Sequence, residues 1–89
     1  MDERDLTRLS FLADAAVRAP THAPRMAENV LKRRPSEPLR QAVEVVREAF
    51  SSAAEAGQVD LDAVIRAVES RSPDAGEALQ RAAVNVRGR

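Results

Sequence analysis

The most reactive-looking stretch of this chain is LKRRPSEPLRQ, residues 31–41, where Lys32, Arg33 and Arg34 run into Pro35. Three adjacent cations can contact phosphate oxygens, and such a contact loses affinity steeply as salt rises. The same residues also suit the last turn of a helix. There, cations interact with free carbonyls and the negative dipole end, at about 0.3–1 kcal/mol each. Pro35 would stop that helix, because the residue before proline avoids the helical region, and Ser36 would cap the next one. The helix-end role is the expected one; nucleic-acid contact through Lys32, Arg33 and Arg34 is the alternative.

His22 is the only histidine, and the chain contains no cysteine. A metal site needs several N, S or carboxylate ligands converging, so neither a metal nor a cofactor is expected. His22 also lacks an accompanying nucleophile motif, and turn formation in the Pro-flanked APTHAP stretch accounts for it. Asp60 and Asp62 flank Leu61 at a helix start, where capping and the dipole explain them. With only three glycines, at positions 57, 76 and 88, no phosphate-binding glycine loop is available. An enzyme is therefore not expected.

Balanced charge, 14 basic against 14 acidic residues, argues against a dedicated binder of nucleic acid or anionic membranes. The 89 residues suffice for one domain, 1–89. Its apolar side chains are small: 17 alanines and 10 valines against 7 leucines and 2 phenylalanines. A core of that kind nets only about 3–5 kcal/mol in so short a chain, which makes a homodimer or a partner-bound form plausible. The arginine and alanine bias suggests a GC-rich bacterial genome. The first twenty residues carry Asp2, Glu3, Arg4, Asp5 and Arg8 and no long apolar run. Neither a cleaved signal nor a membrane span is expected, and cytoplasmic residence is the default, as it also would be for an effector secreted without a cleaved signal.

The elements that position these residues are marked by APTHAP, RPSEP, EAGQVD and SRSP, which divide the chain into five helical segments. The expected fold is all-α, a compact bundle of four to five short helices around a central helix over about 37–56. In that central segment Leu39, Ala42, Val43, Val45, Val46, Ala49, Phe50, Ala53 and Ala54 cover one half of the helical wheel. Ser36 is the expected N-cap and Gly57 the stop. The second segment, from Pro24 to Arg34, places Glu28 four residues before Lys32 in the favourable order for an ion pair. The last two, 61–70 and 73–86, start at Asp60 and Ser72 and could pair as a helix-turn-helix. Against that, the second of them opens with Pro73, Asp74, Ala75, Gly76 and Glu77 where base and phosphate contacts are needed.

The first segment, about 2–19, turns Leu6, Leu9, Leu12, Ala13, Ala16 and Val17 to one face. Phe11 falls roughly 140° from Leu6, beside Thr7, Asp14 and Arg18 and near Ala15. One of two aromatics in a core-poor chain thus projects away from the core face, and aromatic anchors are enriched where partners bind. The expected function is protein–protein interaction, as a small adaptor, regulator or effector-type domain docking through Phe11, Arg18, Thr7 and Ala15. Coverage of Phe11 by the chain's own fifth helix or the 19–24 loop, and packing across a homodimer axis, are the competing expectations.

Overall fold

The punctuation residues place five α-helices within a computed structural model that describes residues 1–88. They are α1 (Glu3–Arg18), α2 (Ala23–Lys32), α3 (Glu37–Glu55), α4 (Leu61–Arg71) and α5 (Pro73–Arg87). A single 3₁₀ turn, Pro20–His22, joins α1 to α2. No strand occurs among the described residues, so the all-α architecture stands.

Local chemistry accounts for most of the boundaries. Asp2 caps α1, its Oδ1 accepting from the Asp5 backbone N–H over 2.9 Å. Asp60 does the same for α4 through the Ala63 N–H at 3.3 Å, and Ser72 for α5 through the Ala75 N–H at 3.4 Å. Each cap satisfies a donor that the helix itself cannot. Gly57 ends α3 with φ +79°, a left-handed conformation that glycine adopts without Cβ strain. On the solvent side of α3, Arg40 reaches both Glu37 and Glu44. The Arg40 hydrogen bond holds the Glu37 carboxyl below its ordinary value.

α3 packs against each of the other four helices, as a wide apolar arc allows. Leu39, Val43, Val46 and Phe50 are fully enclosed along it, and Ala42 and Val45 flank them. α2 and α3 form one side of the bundle, α4 and α5 another, and α1 closes it by lying against α5 and α2. All the buried apolar side chains belong to one contiguous cluster. The Cα radius of gyration, 11.7 Å, agrees with the about 12 Å of a closely packed chain of this length.

Three placements differ from the periodicity. Leu6 is 45% exposed rather than buried with Leu9 and Leu12. On the helical wheel Leu6 falls between the buried Ala13 and Val17, but it stands near the N-terminal end of α1, where an open groove against Asp74, Glu77 and Arg81 of α5 leaves it accessible; Asp5, about 40° from Leu9, is buried instead. Ala54, in the last turn of α3, is exposed too, whereas the adjacent Ala53 packs against the core. Ser36 occupies the N-cap position of α3, but its side chain makes no capping bond and turns instead to Asp5.

Candidate interaction surface

Phe11 is 73% exposed, the largest apolar side chain left to water. No other part of the described chain covers it, which overturns the expectation that α5 or the 19–24 segment would. The reason is geometric. α1 buries Leu9, Leu12, Ala13, Ala16 and Val17, and Phe11 lies on the side of the helix away from that arc. Thr7 and Arg18 are exposed beside it and Ala15 is half-buried, so all four expected docking residues are on α1 and none is sealed in the core.

The residues around Phe11 are held in place by bonds within the helix. The Thr7 hydroxyl donates to the Glu3 carbonyl over 3.0 Å. Arg18 Nε lies 3.1 Å from Asp14 Oδ2, an exposed i,i+4 pair that contributes a few tenths of a kcal/mol. An open groove runs between Phe11 and Leu6, and Glu3, Thr7, Ser10 and Asp14 complete its lining. Periodicity identified Phe11 but not Leu6, which it assigned to the core.

A second exposed apolar residue, Val84, is 68% accessible and escaped the sequence reading. It borders a groove between α4 and α5 that also includes Asp62, Ile65, Arg66 and Arg87. Arg87 Nη2 bridges to Asp62 Oδ1 at 2.9 Å across that groove. Sequence had a usable signal here, since Val84 lies beside the inward Ala83 and off the Leu79–Ala82–Val86 face.

The basic run lies at the corner between α2 and α3. Lys32, Arg33 and Arg34 are exposed, as is Arg25, about two turns before Lys32 on the same face of α2, and none makes an ion pair among the described residues. The expected Glu28–Lys32 pair is therefore not formed. Arg34 adopts φ +52°, the left-handed conformation that normally favours glycine at a helix end. Its backbone N–H still donates to the Leu31 carbonyl over 3.3 Å, closing α2 ahead of Pro35. The geometry matches a helix terminus, and the side chains remain free for solvent or an anion.

His22 ends the 3₁₀ turn and is exposed. Among the described residues, no three His, Cys, Asp or Glu side chains converge on one point. No described helix is long and apolar enough to cross a membrane. At the start of α5, Asp74 and Glu77 face solvent while Gly76 is pressed against Glu69 of α4. That end of the helix therefore presents acid outward and backbone inward. The chain matches no protein-family model, no curated protein and no solved structure.

Proposed function

We propose that this chain is a non-enzymatic protein–protein interaction module, an adaptor or small regulator, that docks on its partner through the outer face of α1. The exposure of Phe11 supports this reading most directly. A small Ala/Val core gains from every large side chain it can enclose, and burying a phenylalanine is worth about 1.5–3 kcal/mol. Leaving Phe11 in water forgoes that gain, and docking on a partner recovers it. Thr7, Arg18 and Ala15 would supply the rim, with Phe11 as the anchor.

The test is a photoreactive phenylalanine analogue at position 11, with the protein expressed in its native cells. A discrete crosslinked species is expected from position 11 and none from a control at His22. Copurification of the partner so identified, without crosslinking, should be lost in Phe11→Ser. Crosslinking from position 84 alone would move the docking face to α5 and overturn the assignment.

A second reading is favoured by one observation, the freedom of Lys32, Arg33, Arg34 and Arg25 from ion pairs among the described residues. It makes the chain a weak DNA-binding regulator. Absence of a gel shift at about 50 mM salt would remove it, since electrostatic contact is strongest there.

A further inference from the structure

Two grooves meet at Leu6. The first is the one that crosses the outer face of α1 from Leu6 to Phe11. The second lies between α1 and α5; it shares Leu6 and Ser10 and adds Asp74, Glu77 and Arg81. Their carboxylates are Glu3, Asp14, Asp74 and Glu77. Two guanidiniums answer them, Arg18 on Asp14 at 3.1 Å and Arg81 on Glu77 at 2.7 Å. Glu3 and Asp74 have no ion pair among the described residues. Arg4 and Arg8 are exposed on α1 but line neither groove. The lining of the two grooves is thus an apolar strip with a net negative rim, and Arg4 and Arg8 border Phe11 on its other side.

We infer that its occupant is a cationic amphipathic helical segment of another protein. The segment seats an apolar side chain between Leu6 and Phe11 and turns Lys or Arg side chains toward Glu3 and Asp74. The inference rests on the reading of α1 as the docking face. Charge selects among the occupants. A twofold pairing of two copies sets one net-negative groove lining against another of the same sign, which opposes it. The same rim repels phosphate backbones and anionic lipid. A segment of opposite charge is instead steered toward it, and the exposed rim charges set encounter rate and register while the apolar anchor supplies most of the affinity.

The experiment is selection from a displayed library of helical peptides, randomised at apolar and charged positions, on the full-length protein at about 50 mM salt. Enriched peptides are expected to carry Lys or Arg beside an apolar anchor. Their affinity should fall by roughly fivefold or more on the Glu3→Gln/Asp74→Asn protein and by about 30-fold on Phe11→Ser. All three positions are exposed, and unchanged melting of the variants separates lost binding from lost fold. Peptides that lose affinity on Phe11→Ser but show no cationic bias, or are indifferent to Glu3 and Asp74, overturn the charge inference and leave the docking face standing. A library yielding no peptide sensitive to Phe11→Ser overturns both. A parent protein that sediments as a dimer and dissociates on Phe11→Ser assigns the face to a second copy and likewise overturns the inference.

Discussion

Ser36 Oγ donates a hydrogen bond to Asp5 Oδ2 over 2.6 Å, joining the first turn of α1 to the corner between α2 and α3, 31 residues away in sequence. Asp5 is only 8% exposed, the one charged residue in the buried set. Its backbone N–H is already taken by the Asp2 cap, so the α1 start is held by two bonds that meet at one residue. A buried carboxylate without its donor carries an uncompensated desolvation cost. Ser36→Ala is therefore expected to lower stability by about 1–3 kcal/mol. Chemical denaturation of Ser36→Ala, Asp5→Ala and the double variant reads the coupling. The two losses should be non-additive by at least about 0.5 kcal/mol, whereas simple loss of an α3 cap would leave them additive.

The two phenylalanines are expected to behave oppositely. Phe50 is fully enclosed in the α3 arc. Phe50→Ala should cost about 3–5 kcal/mol, much of the stability of a small domain. Phe11→Ala, from a position 73% exposed, should stay within about 0.5 kcal/mol of the parent. Thermal unfolding of the isolated protein compares them side by side. A Phe50→Ala protein that melts with the parent would remove α3 from the centre of the fold.

Gly76 offers a test in which local and tertiary preferences have opposite signs. Within a helix, Gly→Ala ordinarily stabilises by about 0.5–1 kcal/mol. A Cβ at position 76, however, would stand 2.8 Å from the Cα of Glu69, where α4 and α5 cross. Backbone cannot yield as a side-chain tip can, so the helices must separate. Gly76→Ala is expected to destabilise by about 1–3 kcal/mol. Urea titration gives the sign directly.

These residues also show where the sequence was readable. Helix starts and stops carry their own chemistry: Asp60, Ser72 with Pro73, and Gly57 with its positive φ each identify a boundary without reference to any neighbour. The α3 arc was equally clear, because nine apolar positions agree on one face. Phe11 was legible as an off-face aromatic for the same reason. Asp5, Leu6 and Gly76 were not. Their environment depends on which other helix crosses them, and wheel geometry within α1 or α5 has no information about that crossing.

The last expectation concerns the opening stretch of cations. Arg34 holds φ +52°, and a left-handed residue with a Cβ costs roughly 1–2 kcal/mol relative to glycine. Part of that is offset because glycine adds freedom to the unfolded chain. Arg34→Gly should therefore raise the melting temperature by a few degrees, on the scale of about 4–8 °C per kcal/mol for a domain of this size. Replacing Lys32, Arg33 and Arg34 together with Gln removes the charges but keeps the Cβ strain. It should lower stability modestly, since cations at a helix end contribute about 0.3–1 kcal/mol each. The two variants separate backbone from charge at one corner. If Arg34→Gly were to melt below the parent by as much as the triple Gln protein, the Arg34 side chain would be supporting the fold through its charge, and the helix-end account would give way to a bound anion or an acidic partner at that corner.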